Sequence, residues 1–455
     1  MPAWSKQIET LITPALMRSK ATKEVIIGHG VLSKVGEVAA RISFDRKALV
    51  CADEAGFSAA GSEVVEALRG AGFDVRIHVL PCSPLPKASV EEAEPFRAAL
   101  AAEATLLPVS VGSGVVNDLV KWAAFETDRK YVTVATAASM DGYTSAGAPL
   151  AKAGFKVTIP TRAPIAMVAD LDVISKAPAE MNAWGYGDLA GKIPAGGDWI
   201  LADALEVEPI DTVAWPLVQD RLHGWLAGSE GIASGDPDTV ARLFVGLTAV
   251  GFAMEFHGSS RPASGADHQI AHMWEMEGLV HNGRKVSHGA AVAVGCVAAL
   301  GLYDWLLAQD IARLDIAKTV AQAPHLEARE LALLEAIQEK TIADKALIEL
   351  HAKHAKPDVH AARLERLRRA WPNLQPRLAA HLIRRKAMIA MLRNAGSPYH
   401  PSQIGISVEH LLSTLRAAAF IRRRYTIFDL LHETGLTDRA FAAVINQLGP
   451  KEAAE

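Results

Sequence analysis

The sequence predicts an α/β domain built on a parallel sheet, followed by an all-helical domain. Two observations carry this. Short apolar runs alternate with helical stretches through the first third of the 455 residues, and each run feeds a turn rich in Gly, Ser or Thr. Beyond residue 175 nearly every segment has helical periodicity. Strand–helix alternation implies parallel strands with helices on both faces. Ligands of such sheets bind at the carboxyl ends of the strands.

Val25-Ile26-Ile27 reads as the first strand and runs into Gly28 and Gly30. Ala48-Leu49-Val50-Cys51 reads as the second and ends at Asp53. Residues 75–80, 106–111 and 131–135 follow as strands, with helical patterns at 59–70 and 90–102 between them. The Pro- and Ala-rich segment 149–178 contains strand-like runs at 155–159 and 165–170. We place the boundary at residue 175, giving an α/β domain over 1–175 and a helical domain over 176–455. Long helical periodicity covers 314–369 and 378–394, punctuated by Pro324 and Pro357. Residues 310–455 form a helical extension to which the sequence assigns no role.

Bulk composition excludes several classes. Half the residues are apolar, 22% are charged and the net charge is −4, so nothing points to nucleic acid or a membrane surface. Three scattered cysteines do not make a disulfide framework and fit a reducing, cytoplasmic setting. Residues 1–20 lack the apolar core and cleavage site of a signal peptide. The apolar run 289–307 is made of Ala, Gly and Val and holds Asp304, so it reads as a buried helix rather than a membrane span. Residues 351–425 carry fifteen Lys and Arg against three acids, with Arg422-Arg423-Arg424 the densest cluster. Solvated helix faces account for most such runs, and an oligomer contact or an anion site is the alternative. His351, His354 and His360 do not make a metal tract, because Lys353 and Lys356 sit among them.

Two regions carry chemistry. In the first, Gly112-Ser113-Gly114 leads from a strand into a helix bearing Asn117 and Asp118. A pyrophosphate needs backbone amides without obstructing side chains, and a helix N-terminus supplies them. Asn117 stands where the usual third glycine would be, so the turn also reads as a purely structural one. Asp53 is placed to accept from a ribose hydroxyl, which favours NAD(H) over NADP(H), or it serves as a helix cap. Thr136 and Ser139, in the stretch Thr136 to Gly142, complete a nucleotide pocket. In the second region, Asp188 follows glycines at a helix start. Ser264 and Asp267 read as a capping box, which puts His268 and His272 one turn apart on one face. His288 opens the apolar helix, where the positive terminus disfavours a protonated imidazole. One carboxylate and two imidazoles suit a catalytic divalent ion with an open position. A surface pair or a satisfied core histidine is the competing reading of an HxxxH.

These stretches, in this order, resemble the iron-containing alcohol dehydrogenase and dehydroquinate synthase superfamily, and within it the bacterial and archaeal sn-glycerol-1-phosphate dehydrogenases. The matching residues include Asn117-Asp118 after the glycine turn, Thr136 to Gly142, Gly187-Asp188-Leu189 with Asp198-Trp199, Ser260 to Gly265 with His268, and His288-Gly289. They cover about residues 20–300. The resemblance implies NAD(H) or NADP(H), one zinc, nickel or iron ion on Asp188, His268 and His288, and Asp141 on the substrate. It implies interconversion of dihydroxyacetone phosphate and sn-glycerol 1-phosphate by a homodimer. His272 is placed to relay the proton. Lys152 and Arg261 are the candidates for the substrate's phosphate. A polyol or glycerol dehydrogenase, a cyclase of the dehydroquinate type and a non-catalytic binding protein are the alternatives.

Overall fold

The computed structural model describes residues 3–152 and 155–448. Six strands form one parallel sheet: β1 (Glu24–Gly28), β2 (Lys47–Asp53), β3 (Asp74–Leu80), β4 (Leu107–Gly112), β5 (Val132–Ala135) and, after a hairpin, β8 (Ala166–Asp170). Their order across the sheet is β1-β8-β5-β4-β2-β3. Burial explains the order. β2, β4, β5 and β8 are near-continuous apolar runs, as strands covered on both faces must be. Strand β3 carries Arg76 and His78 and is largely exposed, so it can only lie at an edge. From β2 the chain crosses outward to β3 and then returns to the other side of β2 as β4. That reversal opens a crevice at the carboxyl ends of β2 and β4, where Asp53 and the Gly112–Gly114 turn stand.

The strand expected at residues 155–159 exists but leaves the parallel sheet. β6 (Gly147–Lys152) and β7 (Phe155–Pro160) pair antiparallel as a separate hairpin, Gly147 opposite Pro160. The run at 155–159 therefore has the composition of a strand, but its partner is the neighbouring segment. The flanking helices follow their sequence signals. α1 is Val35–Ile42 and α2 is Ser62–Gly70. Helix α3 (Val90–Ala102) is capped by Ser89, whose Oγ accepts from the Glu92 amide at 3.2 Å. Helix α4 (Gly114–Glu126) leaves the glycine turn.

By compactness the chain forms two units, Met1–Leu189 with Pro216–Ser259, and Ala190–Trp215 with Ser260–Glu455. Strands give way to helices near residue 175, apart from a short antiparallel hairpin of Val280–His281 and Arg284–Lys285, but the first unit also holds α5 (Ala179–Ala190) up to Leu189 and the long α7 (Pro237–His257). Sequence periodicity locates a change of element type. It does not show which core a helix joins.

The second unit contains α6 (Lys192–Ala204), α8 (Ala266–Met276) and α9 (His288–Leu307). Helices α7 and α9 have the length and apolarity of membrane spans, yet 78% and 89% of their apolar windows are buried inside the fold. The periodic stretch 314–369 breaks at both prolines, giving α10 (Leu326–Ala336), α11 (Lys340–Lys353) and α12 (Pro357–His381) after a short helix Ile316–Gln322. Glu339 adds a break the pattern did not foretell, its carboxylate accepting from the amides of Thr341 and Ile342. α13 (Arg385–Asn394), α14 (Val408–Ala418), α15 (Ile427–Glu433) and α16 (Thr437–Asn446) follow. The extension is no appendage. α12 packs on α6, α13 and α16 on α9, and α14 on α8.

Candidate active site

In the second unit, His268, His272 and Glu275 lie on α8 at i, i+4 and i+7, a spacing that puts all three on one face. His288 is the first residue of α9, whose start is fixed by Ser287 Oγ accepting from the Ala290 amide at 3.2 Å. The two helices approach closely because α9 has Gly295 where they meet. A Cβ there would lie 2.4 Å from the Asp267 carbonyl oxygen. The result is a cluster of three imidazoles. Ring centroids are 5.2 Å apart for His268 and His288, 5.7 Å for His268 and His272, and 6.0 Å for His272 and His288.

Each of two imidazoles is held by a buried carboxylate. His268 Nδ1 is 2.5 Å from Asp267 Oδ2, and His288 Nδ1 is 2.8 Å from Glu275 Oε1. A carboxylate only accepts, so Nδ1 is the donor in each ring, and in the neutral imidazole Nε2 then keeps a lone pair. That is the tautomer a metal ligand needs, with the orienting partner it usually has. His272 differs. Burial holds its pKa well below the usual histidine range, with Arg422, His268 and His288 adding to the effect and Glu275 opposing it. Its Nδ1 is buried and has no hydrogen-bond partner among the described residues. His272, Glu275 and His288 offer donor atoms within 4.8 Å of one another, but Glu275 Oε1 is already bonded to His288.

The capping box expected from Ser264 and Asp267 does not form. Helix α8 begins after Gly265, with no side-chain cap from its own sequence. Asp267 turns to His268 instead. The first amide of α8, on Ala266, donates to Asp198 Oδ2 at 2.7 Å, from α6. Arg261 is also reassigned. It is 1% exposed, donates to the carbonyls of Tyr425 and Asp198, lies 3.2 Å from Glu208 and rests over the Trp199 ring. A guanidinium committed to so many internal partners does not clamp a substrate phosphate.

In the first unit, Asp188 is fully buried on α5, the helix through which the chain passes to the second unit. The Asp141 amide donates to Asp188 Oδ2 at 3.1 Å. Gly185 lets α5 touch this loop, since a Cβ there would sit 1.8 Å from the Ala138 carbonyl oxygen. Asn182 Oδ1 accepts from the Ala138 amide. Buried Lys121 fastens the loop from the other side, donating to the carbonyls of Gly142 and Gly147 and pairing with Asp118 at 3.1 Å. Asp141 is half-buried beside these contacts.

At the glycine turn, Ser113 stands at the N-cap of α4 but makes no capping bond through its side chain. A Cβ on Gly112 would meet Val116 at 2.7 Å, and one on Gly114 would meet Met140 at 2.7 Å. Both glycines are thus required by packing as well as by any phosphate. Thr136 donates its amide to the Gly112 carbonyl at 3.1 Å, and Ser139 is half-buried near Tyr143. Asp53 caps the turn after β2, accepting from the Gly56 amide at 2.7 Å. Asn117 and Asp118 are buried and face protein: Tyr131 donates to Asn117, and Asp118 pairs with Lys121. These bonds hold the turn. Lys152 is exposed at the end of β6, beside residues outside the description.

Glu275, Asn182 and Lys121 were not singled out from the sequence, and Asp267 was singled out only as a helix cap. Only Glu275 had a usable signal there, because it continues the His268 and His272 face by one more turn.

The iron-containing alcohol dehydrogenase family matches residues 26–178. A glycerol-1-phosphate dehydrogenase, NAD(P)+, of Bacillus subtilis is 33% identical over 61% of this chain and 70% of its own length. One from Bacillus velezensis is 28% identical over 90% and 91%, and one from Methanothrix thermoacetophila is 32% identical over 69% and 86%. Among solved structures, a probable glycerol dehydrogenase from Sinorhizobium meliloti shares the fold, with TM-score 0.59, 16% identity, and coverage of 93% of this chain and 98% of that one. Identity and coverage at these levels, with the glycine turn and the carboxylate-held histidines in place, put the chain in the glycerol-1-phosphate dehydrogenase family of the iron-containing alcohol dehydrogenases.

Proposed function

We propose that the protein is a metal-dependent, NAD(P)H-linked oxidoreductase that interconverts dihydroxyacetone phosphate and sn-glycerol 1-phosphate. The observation that carries this reading is the pair of imidazoles whose Nδ1 atoms are engaged by buried carboxylates, the orientation in which a metal-ligating histidine presents its Nε2. Asp188, His268 and His288 are our ligands, a donor set of one carboxylate and two imidazoles that suits a divalent ion with an open position. When bound, the ion supplies Lewis-acid polarisation of a carbonyl, and the nicotinamide supplies hydride. The open N-terminus of α4 and the Gly112–Gly114 turn receive the dinucleotide phosphates, with Ser113, Thr136 and Ser139 around them and Asp53 at the ribose. Asp141, its backbone held by Asp188, orients the substrate hydroxyl. His272, kept neutral by burial, takes a proton at one ring nitrogen and gives one up at the other, so it relays rather than stores it. With Arg261 committed elsewhere, Lys152 remains the candidate of the pair for the substrate phosphate. The free cysteines Cys51, Cys82 and Cys296 agree with a cytoplasmic protein.

The test is NADH oxidation by the zinc-, nickel- or iron-loaded protein with dihydroxyacetone phosphate, dihydroxyacetone and 3-deoxy-heptulosonate phosphate side by side. Consumption of NADH is expected with the first. Activity confined to the unphosphorylated ketone would instead make the protein a polyol dehydrogenase.

The supporting carboxylates give a second expectation. Glu275→Gln cannot polarise His288 as a carboxylate does, and its affinity for zinc should fall about 10- to 100-fold. Competition with a chromophoric chelator reads this directly. Zinc affinity equal to wild type would remove Glu275 from the site's support.

A further inference from the structure

The helical extension forms a partly open pocket that the reaction does not use, with about 430 Å³ of empty space including the solvent at its mouth. Its wall is formed by α10, the end of α11, the start of α12, Tyr425 and α15. Three permanent cations line it, Arg329, Lys353 and Arg363, against two carboxylates, Asp429 and Glu433. Two of the cations are matched. Lys353 Nζ lies 2.8 Å from Asp429 Oδ1, and Arg363 makes a short ion pair with Glu433. Glu433 is further fixed by the Tyr425 hydroxyl at 2.8 Å.

Arg329 is left over. It is 8% exposed, and its Nε is buried without a hydrogen-bond partner. Among the described residues its guanidinium has no hydrogen bond and no ion pair; the Phe420 ring lies 5.8 Å away, and Asp429 and Glu433, each already paired with another cation, act on it only through space. A guanidinium remains charged in a protein, and a buried charge without a counter-ion is costly. The remaining polar lining does not answer it. His360 Nε2 donates to the Glu433 carbonyl at 2.8 Å. Burial, with Arg329 and Lys353 close by, pulls the His432 pKa to about 3, and burial also lowers His354. Both are neutral near pH 7 and can donate or accept. Cations and neutral imidazoles around a space with one unmatched positive charge repel a metal ion and favour an anion.

We propose that this cavity binds a small oxyanion, a phosphate or carboxylate group, against the Arg329 guanidinium. The fork of a guanidinium suits either group, and His354 and His432 line the same space as further donors. The basic run of residues 351–425 then has a specific use where it meets α10 and α15, beyond solvated helix faces.

Calorimetric titration of the full chain with inorganic phosphate, and separately with malonate, tests the proposal and distinguishes the two chemistries. At least one probe should bind saturably to the wild type. Arg329→Met keeps an apolar stem and removes the guanidinium with its charge and donors, so affinity should fall at least about 10-fold while NADH-linked turnover is unchanged. His354→Gln is a second variant at a partly exposed lining position, with a smaller loss expected. A wild type that binds neither probe, or an Arg329→Met protein that binds both as tightly as wild type, overturns the proposal.

Discussion

Replacing His268 by alanine should abolish NADH-linked turnover, by at least about 1,000-fold in kcat/KM, while NADH affinity stays within about 2-fold of wild type. The side chain is 4% exposed, and its Nδ1 is bound to Asp267, so Nε2 is the atom it offers. Removing it takes away one of the three ligands we propose and leaves the buried Asp267 carboxylate without its partner. The second effect should cost about 1–3 kcal/mol of stability, which circular dichroism on heating will show as a modest drop in midpoint and not as loss of fold. The glycine turn and Asp53 lie wholly in the first unit and His268 in the second, so the dinucleotide should bind as before. Three readouts decide the matter: metal per chain, NADH fluorescence titration and turnover. A variant that keeps its metal and its activity removes His268 from the ligand set. A variant that loses NADH binding together with turnover breaks the division of labour between glycine turn and histidine cluster.

The elements whose determinants are local were legible in the sequence. Strands β2, β4 and β5 are apolar runs ending at turn residues, and α3 and α9 begin at Ser89 and Ser287 as capping chemistry requires. The histidines themselves are visible as residue types, and the ordered family resemblance put them in one set with Asp188. What sequence could not show is partnership over distance. The Ser264–Asp267 pattern satisfies a capping rule, yet Asp267 has a stronger acceptor's task beside His268, and the cap of α8 comes from Asp198, 68 residues earlier. Arg261 next to a matching motif reads as a phosphate clamp until Glu208, Tyr425 and Trp199 are found around it. The boundary at residue 175 rests on a change of period, and residues 216–259 return to the first unit because α7 finds its core there.

The same distant partnership makes Asp198 the residue whose loss should destabilise the second unit most. Its carboxylate is fully buried and serves two helix starts at once. Oδ2 accepts from Ala266, the first residue of α8, at 2.7 Å, and Oδ1 accepts from Ile427, the first residue of α15, at 2.8 Å. The Tyr303 hydroxyl donates to Oδ1 at 2.5 Å from α9. Gly265 makes the approach possible, since a Cβ there would lie 2.5 Å from Asp198 Oδ2. Asp198→Ala orphans two helix-terminal amides and a buried hydroxyl, and we expect a loss of about 3–5 kcal/mol. At about 2–4 °C per kcal/mol, the melting midpoint should drop by roughly 10 °C. Because α8 carries both His268 and Glu275, zinc affinity should fall in the same variant although Asp198 touches neither histidine. The sign of the pH effect is also fixed. Burial raises the Asp198 pKa from 3.8 to about 7, against the pull of Tyr303, the two amides and Arg261. A raised carboxyl pKa means that the folded chain holds this proton more tightly than the unfolded chain. The associated stability is therefore full below pH 3.8 and is lost as pH rises through about 7. Asp198→Asn, which cannot ionise, should lie further below wild type at about pH 5.5 than at about pH 8.5 in denaturant titrations. A gap that widens with pH would mean that the ionised carboxylate, and not the protonated one, is the form these two helices hold most tightly.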